Sequence, residues 1–288
     1  MGVCVGIGPF YVRLRVRQAG LSRLLTAMWQ DYPVKPQCHL VDFHVQISSS
    51  RWLRRYLRPQ VRFRIDSREP MPPHPAYQHL PFLEWGINWC IVQRAHHFLK
   101  LHAATLERGG NGILLPATPG SGKSTLAAAL GYSGWRLLGD EFGLIRPSDG
   151  QLQPMPRLVA LKNKSIDVIR AFSPHAYLGP SFVGTRKGTI AHARPTTDSI
   201  RRMQETATPR WLVFPRWVSG ASLCLEPLAK ADAFLMVAMN AFNYEILGQT
   251  AFDLVGQIVE ACDCYTLVYS DLTEAMEALD DLAKSANA

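Results

Sequence analysis

The stretch LLPATPGSGKSTLAAAL (residues 114–130) constrains the fold more than any other part of the chain. An apolar run enters a Gly-rich turn, passes through Lys-Ser-Thr, and continues into a row of Ala and Leu, which favour helix. A strand, a tight loop and a helix in that order fit the Walker A pattern, here Ala117-Thr118-Pro119-Gly120-Ser121-Gly122-Lys123-Ser124-Thr125, with Ala in place of the first Gly. The residue types follow from the chemistry of holding phosphate. Gly120 and Gly122 let backbone N–H groups turn inward around phosphate oxygens. The following helix aims its positive N-terminal end at the same anion. Lys123 supplies a cation to the β- and γ-phosphates, and the Ser124 hydroxyl is a ligand for Mg²⁺.

The spacing after the loop adds a second constraint. Asp140 and Glu141 follow Lys123 by only 17 and 18 residues, at the end of the next apolar strand, "WRLLGDE" (135–141). A helix and a tight turn would return the chain beside the loop. That places two carboxylates near the γ-phosphate, one to organise Mg²⁺ and one to take a proton from an attacking hydroxyl. His102 lies in "LKLHAATLE" (99–107), read as the strand before the loop strand, so it is expected near the phosphate end.

The rest of the chain supports one large domain or two small ones. Hydrophobic residues make up 47% and charged residues 19%, as in a globular protein with a sizeable core. "HLVDFHVQI" (39–47) and "QVRFRID" (60–66) alternate apolar and polar residues and read as half-buried strands. "RWLRRYLR" (51–58) reads equally as a short helix or a turn. "EPMPPHPAYQHLP" (69–81) carries five prolines and reads as a linker, followed by a helix over 82–99. The division expected is a basic, β-rich N-terminal region with its linker (1–81) and a P-loop domain (82–288). The last 60 residues read as helical, interrupted by the strand "YTLVYS" (265–270).

Charge is unevenly placed. Residues 1–81 hold 12 Lys/Arg against 4 Asp/Glu, while residues 82–288 hold 19 of each, so the whole excess of +8 lies in the first segment. A basic module can meet an acidic peptide, nucleic acid or a membrane surface, or be a solvated face with no partner. No nucleic-acid module motif accompanies the charge, so no nucleic-acid partner is expected. The six cysteines (Cys4, Cys38, Cys90, Cys224, Cys262, Cys264) show no zinc spacing and read as reduced thiols. No apolar run is long enough to span a bilayer, and no signal-peptide pattern opens the chain, so a cytoplasmic location is expected.

"LHAATLERGGNGILLPATPGSGKSTLAAALGYSGWRLLGDE" (101–141) resembles the catalytic core of the HPr serine kinase/phosphorylase family. That family shows a His-bearing strand, a P-loop and a Leu-x-x-Asp-Asp strand end in this order and close to this spacing. "RLVALKNKSIDVI" (157–169), "GTRKGTIAH" (184–192) and "LVFPRW" (212–217) resemble the divergent branch called HPr kinase-related kinase A. The resemblance implies an α/β fold, with a P-loop kinase core of the HPr kinase/phosphoenolpyruvate carboxykinase type preceded by a small β-rich N-terminal region. It implies ATP-dependent phosphorylation of a serine hydroxyl on a small protein or peptide, with Mg²⁺, in a homo-oligomer. The partner implied for the branch is a peptide-chaperone-like small protein. Asp140 matches the general base, Glu141 the second acid near the metal, and His102 the family's histidine. Arg186 and Lys187 resemble the basic loop that closes on the transferred phosphoryl group. Thr125 and Glu141 stand where the family has Glu and Asp. Two other readings stay open: a nucleotide-dependent peptide-binding module without phosphotransfer, and a small-molecule kinase.

Overall fold

The computed structural model describes residues 2–50, 54 and 57–285, so most of the 51–58 segment lies outside the described residues. The chain is mixed α/β with several sheets. β1 (Val3–Ile7), β2 (Phe10–Arg17), α1 (Ala19–Met28), β3 (Val34–Lys35), β4 (Phe43–Ser49), β5 (Gln60–Ile65) and β6 (His74–Pro75) come first. They form a six-stranded sheet of order β3-β1-β2-β4-β5-β6. β2 and β4 pair in parallel, which requires a crossover, and α1 supplies it. Strict alternation gives the sheet two different faces. Val12, Leu14, Val45, Ile47, Val61 and Phe63 are buried on the inner face, while Arg15, Arg17 and His44 are exposed on the other.

The Pro-rich segment expected as a linker runs as the edge strand β6 and a 3₁₀ turn (Ala76–Gln78), then enters α2 (His79–Arg94). α2 packs on the N-terminal sheet: Leu80, Phe82, Leu83, Ile87, Cys90 and Ile91 share one apolar cluster with Phe63 and Ile65. The helix expected to open the second domain therefore completes the core of the first. That cluster also takes in Phe142, Met155, Leu158 and Phe182 from later in the chain. Tyr32 Oη donates to the Pro156 carbonyl at 2.7 Å across the same boundary.

β7 (Leu99–Leu101), β8 (Ala103–Arg108), β9 (Asn111–Pro116), α3 (Lys123–Tyr132), β10 (Arg136–Gly139), β11 (Gly143–Ile145), β12 (Leu152–Gln153) and β13 (Val159–Lys162) follow. Next come α4 (Lys164–Phe172), β14 (Phe182–Thr185), β15 (Gly188–Ala193), α5 (Thr197–Arg201), β16 (Thr208–Trp217) and β17 (Cys224–Pro227). α6 (Lys230–Met239), α7 (Tyr244–Leu247), α8 (Gln249–Ala261), β18 (Asp263–Tyr269) and α9 (Leu272–Ser285) close the chain. The central sheet has the order β10-β8-β9-β16-β18-β17. β9, β16 and β18 are parallel neighbours and are covered on both faces, which is why they read as continuous apolar runs. Ile113, Leu115, Trp211 and Val213 point to α3 and α9, while Leu114, Leu212 and Phe214 point to α6 and α8. β10 and β8 are tied by a buried Arg136–Glu107 pair, directly opposite in the ladder. Two three-stranded sheets, β12-β11-β7 and β13-β15-β14, flank the central one. The six cysteines are free, and no helix among the described residues is long and apolar enough to cross a membrane.

Gly86 fixes the approach of α2 to the N-terminal sheet. A Cβ there would lie 2.1 Å from Cε2 of Phe63. Gly86→Ala is expected to destabilise the protein by about 1–3 kcal/mol through overpacking. Thermal unfolding checks this, and adding Phe63→Leu should recover much of the loss.

Candidate functional site

The site forms where several strands end together. β8 runs antiparallel between β9 and β10, with Ala103 opposite Pro116 and Thr105 opposite Gly139. The start of β8 and the ends of β9 and β10 therefore meet at one sheet edge. His102 stands before β8, the loop 117–122 follows β9, and Asp140 and Glu141 follow β10. His102 is not inside a strand as expected. It occupies the bend between β7, which pairs with β11, and β8. Its backbone N–H donates to the Asn240 carbonyl at 2.7 Å, and its ring meets Phe242 edge-on at 5.8 Å.

Gly122 has φ +85°, a left-handed conformation open to glycine, and precedes the first turn of α3. A Cβ there would lie 2.5 Å from Tyr269 Oη, so β18 presses directly on the loop. The first amides of a helix lack intrahelical acceptors, and no side chain caps α3. Ser121 Oγ, inside the same loop, is buried without a hydrogen-bond partner. Lys123 is buried; its ammonium donates to the Asp140 carbonyl oxygen and lies 3.4 Å from Asp140 Oδ1. Gly139 lets this strand end turn sharply, because a Cβ there would meet the Phe142 carbonyl oxygen at 2.6 Å.

A cleft of about 800 Å³ opens over the loop. Thr118 to Thr125 form its floor, and His102, Glu141, Lys162, Lys187 and Phe242 form its walls. A narrower chamber of about 40 Å³ lies behind it, sharing Glu141, Ala160, Lys162 and Lys187 with the cleft. Asp140 lines the chamber. The structure thus brings together the loop, Lys123, Ser124, Thr125, His102 and Glu141, with Asp140 against Lys123. Ala117 is buried at the end of β9, and its N–H donates to the His102 carbonyl at 3.4 Å.

Arg186 and Lys187 form the tip of the β14–β15 hairpin, closed by Thr185 Oγ1 donating to the Gly188 carbonyl at 2.7 Å. Both are exposed, but Lys187 lines the cleft and chamber, whereas Arg186 is among the lining residues of neither. Lys162, not singled out from the sequence, stands at the end of β13 and lines both cavities. Asn163, at φ +52°, turns the chain sharply after it, and its side chain accepts the Thr189 N–H at 3.0 Å. The sequence signal available was Lys162 before a non-glycine turn and an amphipathic helix.

The charges act on one another. Burial opposes ionisation of Glu141, but the nearby cations, Lys123 first and then Lys187 and Lys162, outweigh it and hold its carboxyl below the usual range. Burial, then the Lys123 charge, lowers His102 and keeps the imidazole neutral at pH 7. Burial, then Lys187, lowers Lys162. The cleft lining combines the cations Lys123, Lys162 and Lys187 with one carboxylate, Glu141. Glu141 and the Ser124 hydroxyl offer oxygen ligands on the same cleft, the donor type that Mg²⁺ takes. Among the described residues no group of three or more His, Cys, Asp or Glu is placed to hold a metal ion. Mg²⁺ in phosphate sites commonly uses one or two protein oxygens, with phosphates and water completing the shell.

No family model matches the chain, and no curated protein matches its sequence.

The chamber generates a pH prediction. Burial, then Arg157, pushes the pKa of His192 down to about 3. An unfolded imidazole titrates near 6.5. As the pH falls below about 6.5, the unfolded chain takes up a proton that the native chain refuses, so stability falls. Between pH 6.5 and 5 this one group should remove about 2 kcal/mol. Urea unfolding should show that loss in the parent protein and a shallower one in His192→Phe.

Proposed function

We propose that the chain is an ATP-dependent kinase with a P-loop core of the HPr kinase/phosphoenolpyruvate carboxykinase type, transferring the γ-phosphoryl group to a serine hydroxyl of a small protein or peptide. The observation that carries this reading is the meeting of three parts at one sheet edge. They are a glycine-rich loop feeding a helix N-terminus, the lysines Lys123, Lys162 and Lys187 on the cleft, and a carboxylate pair following β10, which is separated from the loop strand β9 by β8. The loop amides and Lys123 hold the phosphates. Lys162 and Lys187 line the same cleft as the loop and stabilise the charge on the transferring group. Ser124 and Glu141 would hold Mg²⁺, which supplies neutralisation of phosphate charge when bound. Asp140 accepts the hydroxyl proton, its carboxylate positioned by Lys123. Neutral His102, packed on Phe242, stands between the loop and the 239–242 segment and orients the phosphate end of the nucleotide. Lys187, rather than Arg186, is the hairpin cation in contact with the cleft.

A fluorescent ATP analogue and transfer of labelled phosphate test this reading. Lys123→Ala should abolish nucleotide binding. Asp140→Asn should bind nucleotide as the parent does and transfer phosphate about 10²–10⁴-fold more slowly. Full transfer activity in Asp140→Asn removes Asp140 as the base.

A further inference from the structure

Behind the carboxylate pair lies a buried polar chamber built partly by the N-terminal layer. Glu84 and Asn88, one helical turn apart on α2, face Arg157, which precedes β13. The Arg157 guanidinium donates to Glu84 Oε2 and to Asn88 Oδ1, and lies 3.1 Å from the Glu84 carbonyl oxygen. Two residues that line this chamber each carry a buried atom with no hydrogen-bond partner: Glu84 Oε1 and His192 Nδ1. Glu84 is 5% exposed and His192 1% exposed. Burial pushes the Glu84 carboxyl above the usual carboxylate range, against the opposing pull of Arg157 and of the Trp29 indole. An unmet buried carboxylate oxygen is costly, and buried polar atoms are otherwise almost always paired. Asp140 lines this chamber and is not among the described residues that line the loop cleft, whereas Glu141, Ala160, Lys162 and Lys187 line both.

We propose that this chamber is the acceptor pocket, taking a hydroxyl group whose neighbouring N–H or O–H donates to Glu84 Oε1 and whose polar partner meets His192 Nδ1. The inference rests on the kinase reading above and adds where the acceptor binds and what recognises it. Asp140 lines the chamber and not the loop cleft, so a hydroxyl seated in the chamber is placed to give its proton to Asp140. The acceptor oxygen forms a bond to the γ-phosphorus. The bond from that phosphorus to the β–γ bridging oxygen breaks, its electron pair leaves on ADP, and the hydroxyl proton passes to Asp140. At about 40 Å³ the chamber admits a head of a few heavy atoms, roughly the space of three water positions, and excludes a folded surface. The chemistry is that of a serine in an extended peptide or of a free amino alcohol.

The test uses the whole protein with labelled ATP and Mg²⁺. A degenerate peptide mixture with a fixed central serine, free L-serine and ethanolamine are offered separately, with nucleotide affinity measured in parallel. One arm should accept phosphate; the peptide arm assigns a polypeptide acceptor and the free arms a small molecule. Glu84→Gln should raise the acceptor KM about tenfold or more while leaving nucleotide affinity within about twofold. Because one charge of a buried pair left alone can unfold a protein, Glu84→Gln/Arg157→Gln removes both charges together and should show the same rise in KM. An unchanged KM in the folded variants overturns the proposal, as does bound nucleotide with no transfer in any arm. A parent protein that binds no nucleotide overturns the kinase reading itself.

Discussion

The insertion of β8, antiparallel, between β9 and β10 is the constraint on which the rest of the site depends. Had β10 paired directly with β9 in parallel, its end would still meet the loop, but no third strand would start at the same edge. With β8 between them, one chain reversal brings the bend at His102 to the turn after Pro116, and the bulged end of β10 delivers Asp140 beside Lys123. The buried Arg136–Glu107 pair pins that register from the far end of the ladder. A slip of one residue would turn the Asp140 side of β10 to the wrong face.

Buried charge recurs through this half of the molecule: Lys100 meets the Ile91 and Val92 carbonyls, and three other cases are ion pairs. Lys123 has Asp140, Arg136 has Glu107, and Arg157 has Glu84. Such pairs add little net stability, because desolvation offsets most of the attraction. Their effect is geometric: each partner can satisfy the other in only one arrangement of the surrounding elements. The Arg157–Glu84 pair links the β13 strand to α2, and the chamber exists because those two elements are held apart by polar groups rather than closed by apolar ones.

The strand, loop and helix around Lys123 were legible because the motif is contiguous and its residue types follow from phosphate chemistry. Asp140 and Glu141 were legible from spacing, since a helix and a short strand leave few places for the chain to go. The break at His102 was not, because no Gly or Pro marks it; it arises when the chain leaves one sheet for another. Lys162 and the choice of Lys187 over Arg186 depend on β13, β14 and β15 pairing, a long-range event with no local signature. The prolines of 69–81 suggested a linker, yet Pro75 sits in an edge strand, where a missing N–H costs nothing. α2 is buried nearly all round, Gly86 and Glu84 included, so its pattern gave no sign of which core it would join. The basic residues of β2 are the solvent side of a half-buried strand, visible as alternation in "YVRLRVR".

Phe142, the residue after Glu141, packs into the same apolar cluster as α2 and the N-terminal sheet. A boundary drawn through the Pro-rich segment would cut that cluster and strip α2 of its support. Heat should therefore melt the first layer and the carboxylate-bearing turn as one cooperative unit. A molecule gripped only by the native turn would, by mass action, raise the melting point of strands that it never touches.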